Sequence, residues 1–126
     1  MNASPQRMTI VGTGCVGASM GLAIRQSADA DHLEVVGHDR DHGLARRARS
    51  LGAFDNVALN LDIALRGAKL VILAVPLAAL REVLQDVGRL LDPGTGVVVT
   101  STAPMIAPAI DWAAEALPDG VHYVGG

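Results

Sequence analysis

The segment at residues 8–21, MTIVGTGCVGASMG, constrains the fold of this chain more than any other part of the sequence. A short apolar run leads into glycines at Gly12, Gly14 and Gly17, and apolar residues at helical spacing follow. A G-x-G-x-x-G motif between a strand and a helix is typical of a dinucleotide-binding turn. Its glycines permit, in order, the tight bend, the approach of a pyrophosphate and close packing of the helix on the strand. The helix N-terminus then supplies an anion site.

Two residues inside the motif, Cys15 and Val16, are counted with the three glycines as cofactor-binding residues. Cys15 is the only cysteine in the chain, so no internal disulfide can form, and a reducing cytoplasm is the expected compartment. Its small side chain is interpreted as a packing residue rather than as a reactive thiol.

Strand and helix patterns alternate along the rest of the chain. Strands are predicted at residues 8–11, 33–37, 53–58, 69–75, 97–100 and 121–124, and the third is the weakest. Apolar helical stripes are predicted at Val16, Met20, Ala23 and Ile24, at Leu44, Ala48 and Leu51, over residues 61–65, from Leu77 to Leu91, and at Ile106, Ile110, Ala113 and Leu117. This alternation predicts a single α/β domain, a doubly wound parallel sheet of the Rossmann dinucleotide-binding type, with strand order 3-2-1-4-5-6.

The composition and the net charge limit the classes of partner that the chain can bind. Half of the residues are hydrophobic, yet the aromatic residues are only Phe54, Trp112 and Tyr123, so the predicted core consists of Val, Leu, Ile and Ala. A net charge of −3 leaves no electrostatic footprint for nucleic acid. No signal peptide and no apolar run of about 18 residues is present, so neither secretion nor a membrane partner is expected.

Asp39 follows the second predicted strand, about 20 residues after Gly17, where a dinucleotide-binding fold places the acid that bonds the adenosine ribose hydroxyls. A carboxylate at this position repels a 2′-phosphate, which favours NAD over NADP. The neighbouring Arg40 leaves NADP open, because a guanidinium can receive that phosphate.

Three further cofactor-binding candidates stand at the predicted carboxyl edge of the sheet, where open α/β folds bind their ligands. Val75 and Pro76 end the fourth strand, and Pro76 either faces the cofactor or merely stops the strand. Ser101 follows the fifth strand, and its hydroxyl either contacts a ligand or bonds the local backbone. The four histidines have no metal-ligand spacing, so no metal is predicted.

Beyond these patterns, the sequence resembles the prephenate/arogenate dehydrogenases of tyrosine biosynthesis. The resemblance is carried by IVGTGCVGASMGLAI, VVGHDR, LGAFD, KLVILAVP and HYVGG, and it extends over residues 8–126. It implies an oxidoreductase that uses NAD(P) to oxidise a cyclohexadienol with loss of carbon dioxide. By resemblance Gly12, Gly14, Gly17 and Asp39 bind the cofactor, with Pro76 beside it.

The resemblance also implies a second, helical domain that completes the active site and forms the dimer, with residues 1–126 as the nucleotide domain alone. The family's loop after the fifth strand usually reads TDxxSxK, but here Ser101, Pro104 and Ile106 stand at the aspartate, serine and lysine. The family's catalytic histidine follows VGG, where this sequence stops. No catalytic residue is therefore assigned, and the chain alone is expected not to turn over a small-molecule substrate such as prephenate or arogenate.

Two other functions remain open. A non-catalytic dinucleotide-binding module, or a degenerate paralogue, would need the same glycine motif and no catalytic residues. The cofactor domain of a β-hydroxyacid-dehydrogenase-like reductase would also share the motif. A different catalytic domain downstream would distinguish that reductase from the other possibilities.

Overall fold

The structure, a computed structural model, describes residues 5–103 and 106–125 of the chain. The strands are β1 (Gln6–Val11), β2 (Leu33–His38), β3 (Asn56–Val57), β4 (Ala68–Leu73), β5 (Val98–Ser101) and β6 (His122–Val124). The helices are α1 (Cys15–Arg25), α2 (His42–Ser50), α3 (Leu61–Leu65), α4 (Leu77–Leu90) and α5 (Ile106–Ala116).

The strands form one six-stranded parallel sheet in the order β3-β2-β1-β4-β5-β6. Val11 at the end of β1 is in register with His38 of β2 and with Leu73 of β4, so the three central strands end at one level. The order of the strands reverses between β1 and β4, and a crevice opens at such a reversal point. The predicted doubly wound fold and its strand order are confirmed.

Alternate residues of the central strands face two different helical layers. Ile10 and Ile72 belong to a core with Phe54 and residues of α1 and α2, whereas Val71 and Leu73 belong to a core with α4 and α5. Burial on both faces explains why β4 reads as an unbroken apolar run. The strand nevertheless ends at Leu73, two residues before the predicted end, and the next residues turn into the crevice.

Small residues bring three helices onto the sheet. Of the residues predicted for apolar stripes, Ala48 and Ala113 are buried as predicted. Five others are exposed, namely Val16, Ala23, Leu44, Leu51 and Ile110. The other buried positions are Gly17 and Gly21 on α1, Ala45 on α2 and Ala109 on α5. The predictions for the five exposed residues were wrong because a helix that approaches a sheet closely leaves no room for a large side chain on its central face.

The third strand is shorter than the predicted segment 53–58. The backbone N–H of Val35 donates to the side-chain Oδ2 of Asp55 at 2.8 Å, so a side chain occupies the position that a strand carbonyl would take. Regular pairing with β2 therefore starts only at Asn56. Just before it, the Phe54 ring is buried against Gly37, where an added Cβ would lie 2.7 Å from ring carbons.

Replacement of Gly21 by alanine is expected to destabilise the fold, although alanine normally stabilises a helix interior by about 1 kcal/mol relative to glycine. The new Cβ would meet the Ala53 carbonyl oxygen and lie 2.9 Å from the Phe54 ring. Overpacking of this kind costs roughly 1–3 kcal/mol, so after the helical gain we expect a net loss of up to about 2 kcal/mol in the free energy of unfolding measured with urea.

Gly43→Ala is the matched control, since Gly43 also lies in a helix but is exposed. A Cβ there would meet only the Asp41 Oδ1, at 3.4 Å, so this variant is expected to be as stable as the wild type or slightly more stable. Equal changes in the two variants would contradict the packing argument.

Candidate functional site

A cleft of about 400 Å³ opens at the carboxyl ends of β1, β2 and β4. This volume is within the range of roughly 300–1,000 Å³ that is usual for small-molecule and cofactor sites. Six of the predicted cofactor-binding residues line the cleft, namely Gly12, Gly14, Asp39, Arg40, Val75 and Pro76. The structure therefore brings together residues that are far apart in sequence, from Gly12 to Pro76.

Two of the three motif glycines are required by the packing of the chain on itself. Gly12 has a φ of +99°, and a Cβ there would meet the Ala74 carbonyl oxygen. A Cβ on Gly17 would meet the carbonyl oxygen of Gly12 across the turn. The turn is also tied to β2, because the Gly12 N–H donates to the His38 carbonyl oxygen at 2.8 Å. Gly12 and Gly17 thus shape the turn and do not depend on a ligand for their explanation.

Gly14 has a different position. Its φ of −70° is open to any residue, and an added Cβ would find no protein atom within 4 Å. The glycine lines the cleft, and no other protein atom fills the space that a side chain would take. The protein's own packing does not account for this glycine, whereas the approach of a ligand would.

The N-terminus of α1 is open toward the same cleft. Gly14 is its N-cap residue, without a side-chain cap bond, and the first turn of the helix contains no acidic residue. The backbone N–H groups of Cys15, Val16 and Gly17 precede the first possible partner within the helix and so have no carbonyl there. Helix α2 differs, because the Asp41 carboxylate accepts from its first turn. Unpaired donors with the helix dipole behind them attract an anion.

Asp39 is bound to the glycine turn by Thr13, a residue that the sequence reasoning missed. Asp39 Oδ2 accepts from the Thr13 backbone N–H at 2.7 Å and from Thr13 Oγ1 at 3.1 Å. Asp39 Oδ1 accepts from the Asp41 N–H at 2.9 Å. An ionised carboxylate has about four acceptor positions, so three are filled and one remains on Oδ1. The sequence contains a signal for this contact. Thr13, a hydroxyl residue, lies between Gly12 and Gly14 in the turn, and the acid Asp39 follows the neighbouring strand.

Arg40 reaches from the tip of β2 to α4 on the other side of the cleft. Its Nη2 lies 2.8 Å from Glu82 Oε1 and 4.0 Å from Asp86 Oδ2. Asp86 lines the cleft and also pairs with Arg89. Arg40 and Glu82 are both largely exposed, and exposed ion pairs of this kind contribute roughly 0–1 kcal/mol to stability. The pair therefore contributes little to stability, but it fixes the Arg40 guanidinium on the α4 side of the cleft.

His38, the last residue of β2, is a second cleft residue that the sequence reasoning missed. Its Nδ1 lies 2.9 Å from the Ala58 carbonyl oxygen, inside the protein. A carbonyl oxygen only accepts, so the hydrogen bond places a hydrogen on Nδ1. The signal in the sequence is that His38 ends the strand and directly precedes Asp39, which places it at the same edge of the sheet.

The remaining predicted residues lie outside the cleft lining. Cys15 and Val16 have exposed side chains on the first turn of α1. Ser101 is 4% exposed, and its Oγ lies 2.9 Å from the Tyr123 hydroxyl. The hydroxyl of Ser101 is therefore engaged by β6 rather than presented to the cleft. Pro104, which stands at the family's serine position, lies outside the described residues.

Within residues 5–103 and 106–125, the His, Cys, Asp and Glu side chains form no group of three or more that could hold a metal ion. The helices described there are each too short or too polar to cross a membrane.

A comparison with protein families gives one match. The model described as "Prephenate dehydrogenase, nucleotide-binding domain" matches residues 20–126. The matched part begins after the glycine turn, so the turn and the family match are separate observations.

Solved structures show the same fold. A prephenate dehydrogenase from Aquifex aeolicus, in complex with hydroxyphenyl propionate and NAD+, has a TM-score of 0.81 at 22% identity, over 99% of this chain and 42% of that chain. An arogenate dehydrogenase from Synechocystis has a TM-score of 0.76 at 22% identity, over 88% of this chain and 37% of that one. A 3-hydroxyisobutyrate dehydrogenase from Mycobacterium tuberculosis with L-serine has a TM-score of 0.77 at 18% identity, over 96% and 40%. The chain thus spans about two-fifths of the length of these structures.

Replacement of Thr13 by valine removes one hydroxyl donor to Asp39 with little change of shape. A hydrogen bond to a charged group contributes about 1.5–3 kcal/mol, and Thr13 is 1% exposed, so we expect the free energy of unfolding to fall by about 1–2 kcal/mol. Thr95→Val is the control, because the Thr95 hydroxyl bonds the Asp92 carbonyl on an exposed turn, where water can replace it. A stable Thr13→Val variant would show that the hydroxyl does not hold the carboxylate.

Proposed function

The chain belongs to the family of prephenate dehydrogenase nucleotide-binding domains, and from that premise we propose that its cleft binds NAD. The pyrophosphate lies over Gly14 and the open N-terminus of α1, where Cys15, Val16 and Gly17 offer backbone N–H groups. The observation that carries this proposal is the free space beside Gly14, where an added Cβ would have no protein atom within 4 Å. A site that leaves room on the ligand side of a helix N-terminus fits a dinucleotide.

The adenosine half of the cofactor lies between the tip of β2 and α4. The free acceptor position of Asp39 takes a ribose hydroxyl, and Val75 and Pro76 line the same cleft from the turn after β4. Charge at this end favours NAD over NADP, because the carboxylates of Asp39 and Asp86 line the cleft with one guanidinium, that of Arg40. Ser101 remains a proposed cofactor residue only if its bond to Tyr123 opens.

The proposed biochemical role is that of the cofactor domain in an oxidoreductase of the prephenate/arogenate class. NAD+, when bound, supplies the hydride acceptor, and this chain's own residues bind and orient it. Catalytic groups for a small-molecule substrate then come from outside residues 1–126, in a second domain that also forms any dimer. The length of the solved relatives, more than twice that of this chain, supports this division of labour. The single cysteine is consistent with the cytoplasm as the proposed compartment.

A β-hydroxyacid-dehydrogenase-like reductase is the second candidate. The observation in its favour is the likeness to 3-hydroxyisobutyrate dehydrogenase, with a TM-score close to those of the prephenate and arogenate dehydrogenases. The family match favours the first candidate, because it rests on the sequence of residues 20–126 and not on the shared fold.

Gly14→Val is expected to abolish NADH binding while leaving the fold intact. The valine side chain would project into the cleft, and the backbone angles of Gly14 suit any residue. Calorimetric titration with NADH measures the binding, and thermal unfolding checks the fold. Leu90→Ala is a control at an exposed apolar residue outside the cleft lining, for which NADH binding is expected to match the wild type. Equal NADH binding by Gly14→Val would refute the pyrophosphate assignment.

The 126-residue chain alone is expected not to form NADH from NAD+ with prephenate or arogenate. Holding a substrate against the nicotinamide in reactive geometry contributes roughly 7–11 kcal/mol, and the described cleft supplies only the cofactor side. Absorbance of NADH follows the reaction, and calorimetry on the same sample verifies that NAD is bound. Clear turnover by the short chain would overturn the proposed division between two domains.

A further inference from the structure

Two acids on α4 face Arg40 across the mouth of the cleft. Glu82 and Asp86 are four residues apart, so they lie on the same face of the helix. One guanidinium nitrogen of Arg40, Nη2, is 2.8 Å from the first carboxylate and 4.0 Å from the second. Within the described part of the chain, Glu82 forms an ion pair only with Arg40. The Arg40 guanidinium is thus held on the α4 side of the cleft.

The position of the Arg40 guanidinium affects how well the cleft can accept a phosphate on the ribose. A 2′-phosphate carries close to two negative charges and would enter beside Asp39, the acid that we assign to the ribose. Arg40, the neighbour of Asp39, is the group that could neutralise it, but Glu82 already binds that guanidinium, and Asp86, which also pairs with Arg89, lies 4.0 Å from it. The phosphate would have to displace Glu82 and remain close to Asp39 and Asp86, so its net interaction is unfavourable.

We propose that Glu82 and Asp86 are specificity residues, which select NAD against NADP by holding Arg40 away from the 2′-position. They act through Arg40 and are not catalytic. The inference rests on the proposed function, since it concerns the adenosine end of the same cleft. Asp39 alone does not account for the choice, because a free Arg40 beside it could still receive the phosphate.

The experiment compares the affinities for 5′-AMP and adenosine 2′,5′-bisphosphate by calorimetry, with NAD and NADP as the full cofactors. Glu82→Gln and the double variant E82Q/D86N are expected to shift the ratio of the two affinities toward the 2′-phosphorylated ligands, by about tenfold in the double variant. The shift should decrease at high salt, because the interaction is between exposed charges. An unchanged ratio would overturn the inference.

Glu115→Gln is the matched control. Glu115 on α5 forms a similarly exposed pair with Arg81 of α4, at 3.7 Å, outside the cleft lining. It removes the same charge from the chain, and the affinity ratio is expected to remain that of the wild type. A shift in Glu115→Gln as large as that in Glu82→Gln would mean that net charge, and not the hold on Arg40, sets the preference.

Variants that also carry Arg40→Gln test whether the two acids act through Arg40. In Arg40→Gln, removal of the two acids is expected to lose most of its effect on the affinity ratio, whereas a full shift would overturn the holding role. Failure of the wild-type chain to bind 5′-AMP and NAD would overturn the proposed function and this inference with it. Retained binding of 5′-AMP with an unchanged ratio in E82Q/D86N would overturn this inference alone.

Discussion

The close approach of three backbone segments at the glycine turn is the constraint on which the rest of the site depends. Gly12 lies against the Ala74 carbonyl, and Gly17 lies against the carbonyl of Gly12, so no side chain fits between β1, α1 and the end of β4. This contact sets the level at which α1 begins relative to the sheet. The N-terminus of α1 consequently opens at the reversal point of the strand order, where the dipole and the free N–H groups act together.

Asp39 connects this turn to the neighbouring strand. Its carboxylate accepts two bonds from Thr13 and one from Asp41, so the tip of β2 and the glycine turn form one hydrogen-bonded unit. A carboxylate without such bonds would be free to change rotamer. The hydrogen bonds from Thr13 and Asp41 fix the orientation of the Asp39 side chain in the protein without a ligand. Such preorganisation lowers the entropic cost of binding. It also means that substitution of Asp39 would change the turn as well as the proposed ligand contact.

The two walls of the cleft differ in character. The glycine turn supplies backbone donors without charged side chains, whereas the β2 tip and α4 place Asp39, Glu82 and Asp86 around Arg40. A phosphate is therefore attracted to one end of the cleft and disfavoured at the other. A dinucleotide with phosphates at its centre and a bare ribose hydroxyl at its adenosine end matches this distribution of charge.

The sequence by itself determined the fold class, the strand order and six of the cleft residues, because the glycine spacing and the alternation of apolar runs are local patterns that report on backbone geometry. It determined the buried stripe of α4 but only part of that of α2, where Ala45 is buried and Leu44 is exposed because the helix lies close to the sheet. It also missed Thr13 and His38, and it placed Ser101 at the site although β6 engages its hydroxyl. These features depend on contacts between segments about 20 or more residues apart, and only the tertiary structure decides which side chain meets which.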